Sequence, residues 1–192
     1  KGEQNLTTST LGKLSRALNR SVVSLGSGAI NFQIEGGAKL SGSVSVNSSK
    51  NSAVALLCAA LLNRNKTILK GMPRIEEVHR VIEVLQSIGV SVRWTGNDVE
   101  IVPPKEISLA KLNVASAAKT RSVLMLLGPL VHMLEHFELP HPGGCKLGRR
   151  TVRPHLFALE KLGVKITTTK TSYHVSRKAL RPAEIVLYES GD

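Results

Sequence analysis

Val81-Ile82-Glu83-Val84-Leu85-Gln86-Ser87-Ile88-Gly89-Val90-Ser91-Val92 has a counterpart further along the chain, His155-Leu156-Phe157-Ala158-Leu159-Glu160-Lys161-Leu162-Gly163-Val164-Lys165-Ile166. In both, apolar residues at helical spacing lead to a Gly that can take the left-handed C-cap conformation. The first copy runs on through Gly96-Asn97 into Val99-Glu100-Ile101-Val102, the second through a polar turn into Tyr173-His174-Val175, so a β-hairpin follows each helix. Upstream of each copy lies another helix and strand: 53–62 with Thr67-Ile68-Leu69, and 122–133 with Phe137-Glu138-Leu139. With a strand over 42–46, the unit reads β-α-β-α-β-β and occurs nearly twice, which makes the fold α/β. Ala183-Glu184-Ile185-Val186-Leu187 starts as a third copy would, and the chain is expected to be a fragment cut inside a repeat.

The first thirty residues differ in character. Thr8 is an N-cap candidate, and Leu11, Leu14 and Leu18 are spaced for one face of a helix over 8–19. Followed by Arg20-Ser21-Val22-Val23-Ser24-Leu25, this stretch resembles the closing helix of a lambda-repressor-like helix-turn-helix domain, without an identifiable recognition helix. Gly26-Ser27-Gly28 reads as a linker. The expected organisation is therefore a helical extension and linker over 1–30, strands over 31–49, and the repeat region over 50–192.

Composition narrows the function. Twenty-six Lys and Arg against 14 Asp and Glu in 192 residues leave a net charge of +12, so an anionic partner is expected, phosphate first. Nucleic acid is the rival partner, and the 3% aromatic content gives it little material for base stacking. The apolar run over 123–133 is broken by Gly128, Pro129 and His132 and is too short to span a bilayer, so no membrane role is expected. Cys58 and Cys145 form no CxxC pair and no zinc pattern, and without a charged-then-apolar leader the expected compartment is the cytoplasm. His132-Met133-Leu134-Glu135-His136 fits a His-x-x-Glu-His metal motif, but no third ligand is evident downstream.

Three places carry chemistry. Asn47-Ser48-Ser49-Lys50-Asn51 is expected between a strand and a helix start, where backbone N–H groups and a Lys ammonium favour an anion. Lys119-Thr120-Arg121 precedes an apolar helix, and its Arg can fork onto phosphate or carboxylate. Pro142-Gly143-Gly144-Cys145-Lys146-Leu147-Gly148-Arg149-Arg150 sets one thiol in a glycine loop beside three cations, which would lower its pKa. Cys58, inside Ala55-Leu56-Leu57-Cys58-Ala59-Ala60, reads instead as a buried helical residue.

These stretches resemble the UDP-N-acetylglucosamine enolpyruvyl transferase family. The resemblance starts at Phe32 and includes the Lys50-Asn51 pair, Arg121 with Leu127-Gly128-Pro129-Leu130, and Pro-Gly-Gly-Cys with Gly148 and Arg150. That loop distinguishes the family from the related shikimate-pathway enzymes. The resemblance implies two lobes, each of three β-α-β-α-β-β units, of which this chain would hold an incomplete first lobe. It implies enolpyruvyl transfer from phosphoenolpyruvate to the 3-hydroxyl of UDP-N-acetylglucosamine in peptidoglycan synthesis, with no cofactor and no metal. Lys50 and Asn51 would hold phosphoenolpyruvate, and Arg121 would lie at the substrate site. Cys145 would donate the proton and be alkylated by fosfomycin. Arg150 would sit by the phosphate, with Thr151, Val152, Arg153 and Pro154 along the nucleotide. Where the family usually reads Arg-Pro-Val-Asp-Leu-His, this chain has Arg150-Thr151-Val152-Arg153-Pro154-His155, so an Arg replaces the loop acid. The carboxylate that deprotonates the sugar belongs to the second lobe, so turnover requires that lobe.

Overall fold

Both glycine-ended helices form. In the computed structural model, Gly89 and Gly163 have φ of +95° and +96°, a left-handed conformation in which a Cβ is strained. The structure describes residues 17, 24–26, 29–31, 37, 39, 41–46, 48–143 and 151–187. The chain divides into two compact units, 1–47 and 48–192. In the first, strands β1 (Ser24–Gly26) and β2 (Ala29–Asn31) pair antiparallel, with Gly26 opposite Ala29. Gly26, the first residue of the stretch expected as a linker, is thus the last residue of β1; Ser27 and Gly28 lie outside the described residues. Of the expected helix over 8–19, Ala17 is described and is helical; the others fall outside the described residues.

The second unit holds the repeat. Its first copy comprises α1 (Lys50–Ala59) with a 3-10 turn at Ala60–Leu62, then β3 (Thr67–Leu69), α2 (Glu76–Ser87), β4 (Ser91–Thr95) and β5 (Asp98–Val102). After a short α3 (Val114–Ala117), the second copy comprises a 3-10 helix (Arg121–Leu126), α4 (Leu127–Met133), β6 (His136–Pro140), α5 (Arg153–Lys161), β7 (Val164–Thr168) and β8 (Ser172–Arg177). Each copy closes an antiparallel three-stranded sheet in the same order: β3-β5-β4 in one and β6-β8-β7 in the other. Pro140, which lacks a donor, sits on edge strand β6.

The observed unit is α-β-α-β-β. Residues 42–46 and 183–187, expected as strands, have no strand assignment. Val44 and Val46 are 54% and 91% exposed, so this apolar alternation lacks the buried face that would fix it as a strand. The expected helix over 122–133 is divided. Inside a continuous α-helix Pro129 would leave the Met125 carbonyl without a donor and clash with it, so the α-helical part begins at Leu127, with Pro129 in its first turn.

Helices of both copies share one core. Val54 and Leu57 of α1, Val81 and Leu85 of α2, and Leu127 and Leu130 of α4 are almost wholly buried in it. Each sheet turns one face to these helices, through Val99 and Ile101 in the first and Leu139, Tyr173 and Val175 in the second. This helix-inside arrangement leaves the helix starts and the loops between helices to carry the polar groups of the site.

Candidate active site

Ser49 caps α1 by accepting from the Ser52 N–H at 3.3 Å, which starts the helix at Lys50 rather than at residue 53. Lys50 and Asn51 therefore lie in the first helical turn. That turn has no acidic residue, so the Lys50 ammonium sits at the positive end of the helix dipole without a local counter-charge. The counter-charge comes from α2: Glu77 Oε2 lies 2.7 Å from Lys50 Nζ.

Glu77 also reaches the second copy. Its Oε1 accepts from Thr120 Oγ1 at 3.1 Å and from Ser122 Oγ, the residues on either side of Arg121. Thr120, 2% exposed, additionally caps the 3-10 helix by accepting from the Ser122 N–H at 3.2 Å. Burial pushes the Glu77 carboxyl up, but the Lys50 and Ser122 hydrogen bonds, the Lys50 charge and the Thr120 hydroxyl outweigh it and hold the group below its ordinary value. One carboxylate thus joins two of the three stretches singled out in the sequence. Sequence reasoning passed over Glu77 because Glu76-Glu77 at a helix start is ordinary dipole complementarity; the available signal was the pair of hydroxyls flanking Arg121.

The third stretch is anchored at the same place. Arg121 donates through Nη2 to the Thr151 carbonyl at 2.8 Å. On the other side, Gly143 packs against the Ala118 carbonyl so closely that a Cβ has no room. Both stems of the glycine loop therefore meet the 118–121 turn. Gly144, Cys145, Lys146, Leu147, Gly148, Arg149 and Arg150 lie outside the described residues, so the expected convergence of Arg150 with Lys50 and Arg121 is not described. Val152 precedes α5, and Pro154 occupies its second position, where the missing N–H costs nothing. Arg153 opens α5 and pairs with Glu160 at 3.0 Å, one face along.

Cys58 is helical and 2% exposed, as expected, and burial pushes its thiol up to about 12. The metal motif loses its geometric premise: α4 ends at Met133 and His136 begins β6, so the two histidines do not share a helix face. Among the described residues no group of three or more potential ligands stands together, and no helix is long and apolar enough to cross a membrane.

Comparison with known proteins agrees with this architecture. Residues 34–190 match the model of the family described as EPSP synthase (3-phosphoshikimate 1-carboxyvinyltransferase). The chain is 36% identical over 140 residues to a UDP-N-acetylglucosamine 1-carboxyvinyltransferase of Bradyrhizobium diazoefficiens, covering 73% of this chain and 32% of that one. It is 34% identical over 154 residues to UDP-N-acetylglucosamine 1-carboxyvinyltransferase 2 of Listeria monocytogenes, covering 80% and 36%. The chain thus spans about a third of the length of these relatives. Among solved structures, the enolpyruvyl transferase NikO from Streptomyces tendae superposes with a TM-score of 0.61 at 20% identity, over 78% of this chain and 33% of that one, which shows a shared fold.

Proposed function

The chain belongs to the EPSP synthase family, and on that premise we propose that it is the part of an enolpyruvyl transferase that binds phosphoenolpyruvate and UDP-N-acetylglucosamine. The observation that carries this reading is that Lys50 and the hydroxyls on either side of Arg121 meet on one carboxylate, while Gly143 and Thr151, which flank the Cys145 stretch, are held against the same 118–121 turn. The choice of UDP-N-acetylglucosamine over a shikimate-type acceptor is supported by the relatives' names and by the Pro-Gly-Gly-Cys loop.

In this reaction the methylene carbon of phosphoenolpyruvate gains a proton, positive character develops at C2, and the sugar 3-hydroxyl attacks there. Loss of phosphate with a proton from the methyl group then restores the double bond. Lys50, Arg121 and Arg150 offset the phosphate charge, and Asn51 contacts the same ligand. Cys145 supplies the first proton. Thr151, Val152, Arg153 and Pro154 line the nucleotide, with Arg153 drawn toward its diphosphate in exchange for Glu160. The second lobe contributes the base for the sugar hydroxyl, so the expected activity of this chain alone is binding without turnover. The place of such an enzyme is the cytoplasm, at the first committed step of peptidoglycan synthesis.

Calorimetric titration with UDP-N-acetylglucosamine and with shikimate 3-phosphate, each in saturating phosphoenolpyruvate, tests the assignment. The expected result is a saturable signal for the nucleotide sugar and none for shikimate 3-phosphate; the opposite preference would reverse it.

A further inference from the structure

The Lys50 ammonium is in an awkward place. It ends a long flexible stem, about half of it is exposed, and it sits at the positive end of α1. Left alone, it would sample many rotamers away from the cationic helix start. Arg121 has a related problem, because it lies at the junction of α3 and the 3-10 helix, where Thr120 is extended and the α-helical hydrogen-bond ladder is interrupted. Both are met by one side chain.

We propose that Glu77 is the positioning residue of the phosphate site: one of its oxygens holds the Lys50 ammonium, the other holds the Thr120 and Ser122 hydroxyls, and together they set the separation between Lys50 and Arg121. Glu77 suits this role because it lies in the first turn of α2, where a negative charge is favoured. Its carboxylate is three-quarters buried and remains ionised under the influence of the groups it binds. The rest of α2 steadies the same segment without touching Lys50. Glu83 accepts from Ser116 Oγ and pairs with Arg80 at 2.9 Å, and Ser87 Oγ accepts from the Asn113 N–H at 2.9 Å. Glu77 alone among these α2 groups also reaches α1. The ammonium has three donors, so holding one on Glu77 leaves two to aim at an anion.

The proposal rests on the reading that Lys50 and Arg121 take the phosphate of phosphoenolpyruvate, and the test keeps the two apart. Acylation of Lys50 by N-hydroxysuccinimide acetate, followed by peptide mapping, reads the hold on the ammonium without any ligand. Calorimetry with phosphoenolpyruvate reads its consequence, in the parent chain, Glu77→Gln, Lys50→Ala and the double variant. Gln keeps an acceptor for Thr120 and Ser122 but loses the charge facing Lys50, so Lys50 acylation should rise at least threefold. Phosphoenolpyruvate affinity should fall about tenfold, as for loss of a charge-assisted hydrogen bond. In the Lys50→Ala background the same substitution should change affinity less than twofold, because the interaction it removes is already gone. Should Glu77→Gln fail to fold, Glu77→Asp, which keeps the charge but withdraws it by one methylene, should show the same rise in Lys50 acylation. Binding to the parent chain with unchanged acylation and additive losses would overturn the positioning role and leave the functional reading intact. Faster acylation with no phosphoenolpyruvate binding in the parent chain would overturn that reading, and with it the phosphate-site role, leaving a structural Glu77–Lys50 pair.

Discussion

The two cysteines carry opposite expectations from opposite surroundings. Burial in α1 pushes the Cys58 thiol up to about 12, which leaves almost no thiolate near neutral pH. Cys145 has Lys146, Arg149 and Arg150 within five residues in the sequence, and these cations are expected to lower its thiol pKa. Iodoacetamide labelling of the native protein at pH 7.5 or thereabouts, with peptide mapping, should find Cys145 modified at least tenfold faster than Cys58. Equal rates would remove the argument for an activated thiol. A Lys50→Ala change carries its own expectation for stability: the Glu77 carboxylate would keep its two hydroxyl donors but lose its cation. A group a quarter exposed can recruit water, so the expected cost is modest, about 1 kcal/mol by urea unfolding.

The helix-and-hairpin halves of each repeat could be read from sequence because local rules agree there: apolar spacing, a Gly at the helix end, and alternation beyond it. The starts of the helices could not. Ser48, Ser49 and Ser52 all offer capping hydroxyls, and which one is used depends on the packing that buries Ala53 and Val54. The division of 122–133 is foreshadowed by Pro129, but the 3-10 form of its first half, which starts where Thr120 and Ser122 hydrogen-bond the distant Glu77, has no local sequence signal. The site was half visible for the same reason. Cations at segment starts attract notice, whereas the carboxylate that joins Lys50 to the hydroxyls flanking Arg121 comes from α2 and looks like ordinary surface charge.

The two C-cap glycines allow a sharper check, since the repeat makes them equivalent while their surroundings differ. A Cβ on Gly89 would make only ordinary contact with Pro104, at 3.4 Å, so Gly89→Ala should cost mainly the left-handed backbone penalty, about 1–2 kcal/mol. A Cβ on Gly163 would stand 2.8 Å from the Ala179 carbonyl oxygen, so Gly163→Ala should cost clearly more. Urea unfolding of the two variants measures the difference; equal costs would show that the second glycine's neighbour yields freely.

Across the whole molecule, charge has two consequences. The excess of cations draws anions in, with an attraction that salt weakens. Among the carboxylates, Glu77 and Glu83 each tie α2 to a second segment, and acid should expose this. The Ser116 and Arg80 hydrogen bonds hold Glu83 below its ordinary value, as the Lys50 and Ser122 bonds, overcoming burial, do for Glu77. A depressed folded pKa gives stability that is present above the unfolded value, about 4.3, and is lost as pH falls through the folded one. The thermal midpoint should therefore fall more steeply below about pH 4 than between pH 5 and 7, and less steeply in Glu77→Gln. An identical acid slope in that variant would contradict the assignment.

Residues far apart in sequence, on the two copies of the repeat, are proposed to form one phosphate-binding site. Calorimetric titration of phosphoenolpyruvate into the parent chain, Lys50→Ala and Arg121→Ala tests it most directly. The expected result is saturable binding to the parent chain and a loss of about tenfold or more in each variant, with both variants folded. Equal affinity in all three would contradict it.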